Sequence, residues 1–170
     1  MGDMLEVATR ANLTEAKREA MRVRMLGEVD EKTMIVMGPK KPKHTITVFT
    51  DVDCPYCSRL HNEVPVLNQA GVKVRYLMYP RAGINSETYK RSVAVWCATD
   101  RVKAVGIAKA GGKLEMKTCP NPISEQFALG ERMGVTGTPT IFLDNGKRLA
   151  GYVPAQQLLS MLNSGASSVQ

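Results

Sequence analysis

The segment Cys54-Pro55-Tyr56-Cys57 lies where a β-like run, residues 44–50, gives way to a helical pattern. Two thiols separated by two residues at the first turn of a helix can close a small, reversible disulfide. The helix N-terminus also places backbone N–H groups beside the first sulfur, where they stabilise a thiolate. The segment therefore predicts that Cys54 is a nucleophile toward other disulfides, although a C-x-x-C taken alone could also be half of a zinc site.

Length and composition favour one folded domain with a modest appendage. The chain has 170 residues, of which 44% are hydrophobic, and this is enough for an ordinary core. No apolar run approaches the roughly 20 residues that span a bilayer. The start, Met1-Gly2-Asp3, lacks a basic stretch followed by an apolar one, so no signal peptide is expected in this chain.

The formal net charge of +7 raises the possibility of a nucleic-acid partner, but the basic residues are scattered. Their one dense cluster, residues 39–43, contains two prolines and is typical of a solvated, extended connector. No aromatic residues accompany it for base stacking. We therefore expect no nucleic-acid partner.

The other two cysteines, Cys97 and Cys119, stand apart from each other and from the C-x-x-C pair. A four-thiolate zinc site usually draws on two C-x-x-C knuckles, and this chain has one, so no metal site is predicted. A structural disulfide between Cys97 and Cys119 fits better and would contribute on the order of 3 kcal/mol to stability. It would imply an oxidising compartment, and two buried free thiols remain the alternative.

Periodicity and turn residues divide the chain into a linker helix region (1–32), a catalytic domain (33–163) and a flexible tail (164–170). Asn12, followed by Glu15, has the form of a helix start and predicts an amphipathic helix over 12–27. In the domain, strands are predicted at 33–37, 44–51, 72–79, 140–143 and 148–152. Helices are predicted at 54–69 with a kink at Pro65, at 85–110 with a break near Asp100, at 123–133 and at 154–162.

The order of elements is strand, helix, strand, helical block, hairpin and helix. With a reactive C-x-x-C after a strand, this is the layout of the thioredoxin fold with a helical insertion. The predicted fold class is therefore α/β, with a mixed central sheet flanked by helices.

The segment from Val48 to His61 resembles the active-site segment of the DsbC/DsbG-type thiol:disulfide interchange proteins of the bacterial periplasm. Trp96-Cys97 with Cys119, the loop 134–140, and Asn145-Gly146 followed by Gly151-Tyr152 extend the resemblance. It covers residues 30–163, and the combination of motifs is highly specific.

The resemblance implies a periplasmic enzyme that isomerises or reduces wrong disulfides in secreted proteins, using no cofactor. It also implies a membrane-bound thiol reductase of the DsbD type as a partner. Members of the family dimerise through an N-terminal domain, of which this chain has almost nothing before its linker-like helix. A homodimer is therefore expected for the full-length form and is doubtful for this chain, which we expect to be a shortened form.

Two further departures from the family concern the active site. The dipeptide between the cysteines is Pro55-Tyr56, where the DsbC type commonly carries Gly-Tyr. Asp53 directly precedes the nucleophile, and an uncompensated carboxylate there would oppose thiolate formation.

The residues of the motif receive distinct roles. Cys54 attacks, and Cys57 resolves the mixed disulfide by attacking Cys54. Pro55 fixes the first helical turn, where its missing N–H costs nothing. Tyr56 is either a surface over which substrate packs or an ordinary, partly exposed aromatic residue.

Residues outside the motif are also expected to support it. By the resemblance, Pro139 is the cis-proline that faces the C-x-x-C, and Thr138 pairs with an extended substrate segment. Asp51 either helps to deprotonate Cys57 or caps a backbone N–H. His61, on the helical face of Cys57, is more simply interpreted as a packing or surface histidine than as a proton carrier.

Two rival functions remain open from the sequence. The first is a thiol oxidase or a DsbG-like protector of single cysteines, with the same residues at a more oxidising potential. The second is a non-catalytic holdase or a metal carrier that uses the C-x-x-C as a soft ligand.

Overall fold

A computed structural model of the chain describes residues 2–168, and for residues 2–9, 11 and 165–168 it describes the backbone only. Within those residues the helices are α1 (Gly2–Gly27), α2 (Pro55–His61), α3 (Val64–Gln69), α4 (Glu87–Cys97), α5 (Arg101–Lys109), α6 (Ile123–Arg132) and α7 (Ala155–Ser168). The strands are β1 (Ile35–Met37), β2 (His44–Thr50), β3 (Val72–Met78), β4 (Thr140–Phe142) and β5 (Arg148–Ala150).

The strands form one mixed sheet in the order β1-β3-β2-β4-β5. Strand β2 pairs in parallel with β3 and antiparallel with β4, while β1 and β5 close the two edges antiparallel. A parallel pair needs a crossover, which α2 and α3 provide. The predicted mixed sheet, and with it the thioredoxin fold with its helical insertion, is confirmed.

Alternation along the central strands sends side chains into two cores. Val48 and Tyr76 belong to the larger core, which also takes buried residues from α3, α4, α5 and α7. Their neighbours Phe49 and Leu77 face the opposite side of the sheet and pack beneath α6 and the end of α1. Both faces of the sheet are therefore covered, and the C-terminal end of β2 is held rigidly between them.

Helix α1 is longer than predicted, because it begins at Gly2 and not at Asn12. Its later part lies close to the β4–β5 hairpin: Arg22 donates to the Gly146 carbonyl at 3.1 Å. A Cβ atom on Gly146 would lie 2.1 Å from the Glu19 carbonyl oxygen, so the approach requires glycine there. The linker helix region is thus packed against the domain along at least this stretch.

Two other boundaries differ from the predictions. The expected single helix over 54–69 is two helices, since α2 ends at His61 and α3 begins at Val64, one residue before Pro65. Proline at the second position of α3 starts a helix where it was expected to kink one. Helix α7 runs on to Ser168, past the expected end at Leu162. Flexibility of 164–170 stays a prediction, and residues 169 and 170 lie outside the described residues.

The segment between α4 and α6 is closed by a disulfide. Cys97 and Cys119, for which the sequence predicted a structural disulfide, are bonded across a separation of 22 residues, with their Cα atoms 5.9 Å apart. The closed loop contains the whole of α5. None of the helices in the described part of the chain combines the length and the apolar character that crossing a bilayer requires.

Candidate active site

The C-x-x-C segment occupies the junction between β2 and α2. Cys54 is the N-cap residue of α2, with extended backbone dihedrals, and Pro55 is the first helical residue. Cys57 follows in the first turn. Both cysteines are free, and only 2% of Cys54 and 1% of Cys57 is exposed to solvent. The site is therefore a buried dithiol at a helix N-terminus, as the sequence placed it.

The surroundings of Cys54 favour its thiolate. Burial raises the pKa of Cys54, but hydrogen bonds from Thr138 and Cys57 outweigh this effect. The guanidinium of Arg81 adds a favourable charge, and the net result is a pKa below the ordinary value. The Thr138 hydroxyl is buried near both sulfurs and makes no hydrogen bond of standard geometry with the described residues, so its proton is available to the thiolate.

Cys57 is affected in the opposite direction. Burial is the largest effect and raises the pKa of Cys57 above its ordinary value, although the nearby Lys109 ammonium opposes this. The backbone N–H of Asp51 lies 3.5 Å from the Cys57 sulfur. Two thiols three residues apart thus differ in ionisation: Cys54 ionises readily, while Cys57 keeps its proton until it attacks the mixed disulfide.

The Asp51 carboxylate is fully engaged away from Cys57. It accepts hydrogen bonds from Arg81 Nε at 2.8 Å, from the Arg81 backbone N–H at 3.0 Å and from the Asp53 backbone N–H at 2.8 Å. Of the two roles left open by the sequence, the geometry shows backbone capping, combined with an ion pair. It shows no hydrogen bond between this carboxylate and the Cys57 sulfur.

Asp53 is not the uncompensated carboxylate that the sequence suggested. Its two oxygens accept hydrogen bonds from the Thr88 hydroxyl at 2.7 Å and from Arg91 Nε at 3.1 Å. Both partners lie on α4, more than thirty residues after Asp53 in the sequence. The insertion therefore supplies the charge that offsets Asp53 beside the nucleophile.

The loop before β4 faces the motif. The Thr138–Pro139 peptide bond is cis, and the Cys54 thiol lies 3.5 Å from the Thr138 carbonyl oxygen. Tyr56, between Pro55 and Cys57, is 58% exposed, so an accessible aromatic side chain lies beside the buried sulfurs. The roles of Thr138, Pro139 and Tyr56 in binding substrate remain predictions.

His61 is a partly buried packing residue. Its Nδ1 atom lies 2.7 Å from the Tyr76 hydroxyl oxygen. Burial, together with repulsion from Lys109, lowers the pKa of His61 to about 4, so its ring is uncharged at neutral pH. This agrees with the simpler of the two interpretations of the sequence.

Two basic residues at the site escaped the sequence analysis. Arg81 follows β3, and its link to Asp51 is a long-range contact without a local motif. Lys109 is only 7% exposed, and its ammonium donates a hydrogen bond to the Thr50 hydroxyl. One sign was available for Lys109, because it falls on the apolar face of α5, four residues after the buried Val105.

The positive charge of Arg81 helps to lower the pKa of Cys54, and this can be tested by removing it. We expect Arg81→Gln to raise the pKa of Cys54 and to slow its alkylation by iodoacetamide at neutral pH about threefold, since the effect of a half-exposed charge is modest. The pH profile of alkylation should move upward correspondingly. Arg132→Gln, which removes an exposed arginine from α6, is the matched control. Equal rates in the two variants would contradict the assignment.

No metal site accompanies the dithiol in the part of the chain that the structure describes: no group of three or more His, Cys, Asp or Glu side chains is arranged to hold an ion.

Comparison with known proteins gives concordant matches. A family model described as a thioredoxin-like domain matches residues 30–166. The thiol:disulfide interchange protein DsbC of Dickeya dadantii is 42% identical over 137 residues, which cover 81% of this chain and 58% of the relative. DsbC of Escherichia coli K12 is 41% identical over 133 residues, which cover 78% of this chain and 56% of the relative. The chain thus spans little more than half the length of these curated relatives.

Among solved structures, a disulfide interchange protein from Neisseria gonorrhoeae superposes with a TM-score of 0.70 at 31% identity. The match covers 80% of this chain and 97% of that one.

Proposed function

Since this chain belongs to the thioredoxin-like domain family and, within it, to the DsbC-type thiol:disulfide interchange proteins, we propose that Cys54 and Cys57 isomerise or reduce non-native disulfides of secreted proteins. The observation that carries the proposal is a pair of free, buried cysteines at the N-terminus of α2, facing the cis Thr138–Pro139 bond. The pKa of Cys54 is lowered and that of Cys57 is raised. In such a pair, Cys54 ionises and can attack, while Cys57 stays protonated until it attacks the mixed disulfide.

The first step is attack by the Cys54 thiolate on one sulfur of a substrate disulfide. The substrate S–S bond breaks, a mixed disulfide with Cys54 forms, and the other substrate sulfur leaves as a thiolate. The exposed ring of Tyr56, beside the cysteines, suits a partly unfolded substrate whose apolar side chains can pack on it. The backbone at Thr138, beside the Cys54 sulfur, is where an extended substrate segment would pair.

The mixed disulfide has two fates. In isomerisation, a second substrate thiolate attacks the substrate sulfur bonded to Cys54, forms a new substrate disulfide and releases the Cys54 thiolate, so that no net oxidation occurs. In reduction, Cys57 attacks the Cys54 sulfur and the substrate leaves as a thiolate. The Cys54–Cys57 disulfide that results needs two electrons from outside to be used again.

The setting of this chemistry is also part of the proposal. We place the protein in the bacterial periplasm, where the DsbC relatives and the Cys97–Cys119 disulfide both suit an oxidising compartment. A membrane-bound thiol reductase of the DsbD type would return Cys54 and Cys57 to the dithiol. A full-length form would be a homodimer.

Reactivation of scrambled ribonuclease tests the proposal, alongside reduction of insulin with a thiol donor. We expect activity from the chain and none from Cys54→Ala, because the attacking sulfur is gone. Insulin reduction without ribonuclease reactivation would restrict the domain to reduction and assign isomerisation to segments outside this chain. Failure in both assays would overturn the proposal and favour a binding module.

A further inference from the structure

A buried lysine, Lys109, lies beside the reactive dithiol and has no role in the exchange steps of the proposed function. Lys109 is the last residue of α5 and is 7% exposed. Burying an ammonium is unfavourable unless hydrogen bonds or nearby charges offset the lost hydration. Its Nζ atom donates to the Thr50 hydroxyl oxygen and lies 5.0 Å from the centre of the Tyr76 ring.

Hydrogen bonds hold the backbone of Lys109 beside the C-x-x-C motif. The Ser58 hydroxyl, next to Cys57, donates to the Lys109 carbonyl at 2.7 Å. Arg91 Nη2 donates to the neighbouring Ala108 carbonyl at 2.9 Å. The same arginine pairs with Asp53. The end of α5 is therefore fastened to both sides of the C-x-x-C segment, which fixes where the ammonium lies.

The Thr50 hydroxyl lies between Lys109 and Cys57 and can connect them. Lys109 Nζ donates to Thr50 Oγ1, and the Thr50 hydroxyl lies close enough to the Cys57 sulfur to lower the pKa of Cys57. A hydroxyl both donates and accepts, so it can pass a proton between its two neighbours by rotating.

Apart from the two cysteines, the titratable groups around Lys109 are already engaged or uncharged, and Cys54 has no proton to give in the mixed disulfide. The groups that face Lys109 are Cys54, Cys57, His61, Asp51 and Tyr76. Asp51 is paired with Arg81. His61 is uncharged at neutral pH, and burial raises the pKa of Tyr76, so its phenol stays protonated. This leaves Cys57 as the group with which Lys109 can exchange a proton.

We propose that Lys109, acting through the Thr50 hydroxyl, is the positioning residue that takes up the proton of Cys57 when Cys57 resolves a mixed disulfide. The inference rests on the proposed function. In this step the Cys57 S–H proton passes to Thr50 Oγ1 while the Thr50 proton passes to Lys109 Nζ. The Cys57 thiolate then attacks the Cys54 sulfur, the Cys54–substrate bond breaks, and the substrate leaves as a thiolate.

The ionisation of the two groups is matched to this transfer. Burial lowers the pKa of Lys109 to about 8, which brings it close to that of a thiol. The negative charges of Cys57 and Cys54 act in the opposite direction and raise the pKa of Lys109. In the mixed disulfide Cys54 carries no charge, so the pKa of Lys109 falls. A larger share of Lys109 is then uncharged, and able to accept a proton, in the state in which Cys57 must lose one.

Single-turnover reaction with a chromogenic aromatic disulfide separates the two steps. Cys54 releases the first chromophore at a rate that depends on reagent concentration, and Cys57 releases the second at a rate that does not. We expect Lys109→Met to slow the second release about tenfold at neutral pH and to move its pH midpoint up by about one unit. The first release should change by no more than about threefold.

Two further substitutions test the path and one serves as the control. Thr50→Val should reproduce the slower second release, whereas Thr50→Ser, which keeps a hydroxyl, should restore it. Lys103→Met removes an exposed lysine from the same helix and should leave both releases as in the parent protein. An unchanged second release in Lys109→Met, or in Thr50→Val, would overturn the proposal.

Titration of Cys57 by thiolate absorbance in a Cys54→Ala background gives a readout that needs no exchange activity. Lys109→Met should raise the measured pKa of Cys57 by about one unit, and Lys103→Met should not. If the pKa of Cys57 is the same in Lys109→Met as in the parent background, the role of Lys109 is overturned. A wild-type protein whose Cys54 fails to release the first chromophore would instead contradict the proposed function. Thermal unfolding shows whether each variant is folded. If Lys109→Met is not folded, the second release in Thr50→Val decides the question.

Discussion

Cys57→Ala is expected to accumulate as covalent complexes with its substrates, joined through Cys54. The variant keeps the nucleophile and the features that lower its pKa, apart from the hydrogen bond donated by the Cys57 thiol; the backbone N–H of residue 57 remains. It therefore still attacks substrate disulfides. What it lacks is the buried thiol that attacks the Cys54 sulfur, so only a thiol of the substrate or of the solution can still resolve the mixed disulfide.

The expected effect is large because the lost step is intramolecular. Well-oriented groups within one molecule react as if present at about 10⁵ M or more, whereas free thiols in an assay are present at millimolar concentrations. We expect the lifetime of the mixed disulfide to increase at least about a thousandfold in the absence of added thiol. Cys57 meets the geometric requirement, since it lies in the first turn after Cys54 and is held by Thr50 and the backbone of Asp51.

Non-reducing gel electrophoresis after incubation with scrambled ribonuclease measures the complexes directly. Wild-type protein should show only transient adducts, and Cys57→Ala should show stable ones that a reductant removes. The Cys54→Ala variant is the matched control and should show none, because burial raises the pKa of Cys57 and keeps its thiol protonated. Stable adducts of Cys54→Ala would mean that the attacking cysteine has been misassigned.

Local signals in the sequence were sufficient for most of the fold. Asn145-Gly146 predicted a hairpin, and Gly146 adopts a φ of +89° between β4 and β5. Turn chemistry of this kind depends on a few neighbouring residues, which is why it is readable. The predicted start of α1 was wrong because it also depended on a local signal. Asn12 and Glu15 have the spacing of a helix start, but the helix already begins at Gly2. A side chain that can cap a helix can also lie inside one.

The central cysteines could be predicted, but their electrostatic environment could not. The motif itself identifies Cys54 and Cys57 through their spacing. The groups that perturb them arrive from elsewhere in the chain: Arg81 from the end of β3 and Lys109 from the insertion. A lone lysine in a helix is normally solvated. Its burial here depends on how α5 packs against α2, which spacing along one helix does not reveal.

Removing the disulfide by the double substitution Cys97→Ala/Cys119→Ala should destabilise the protein by about 3 kcal/mol, which lowers the midpoint of thermal unfolding by about 10 °C. The bond closes a loop of 22 residues, and its loss returns that freedom to the unfolded chain. Alanine is chosen because a serine hydroxyl at the partly buried Cys97 would add an unrelated cost. Denaturant unfolding under non-reducing conditions, compared with the parent protein, gives the difference.

Active-site chemistry should survive this loss, which separates the structural bond from the reactive pair. Helix α5 keeps its own anchors, since Val105 and Ala108 are buried and Ser58 holds the Lys109 carbonyl. The folded double variant should therefore release both chromophores of the aromatic disulfide at rates within about threefold of the parent protein, because the groups around the sulfurs are unchanged. In excess reductant the parent protein should lose stability until it matches the variant. Equal stability of the two proteins under non-reducing conditions would show that the bond between Cys97 and Cys119 does not constrain the unfolded chain as loop closure requires.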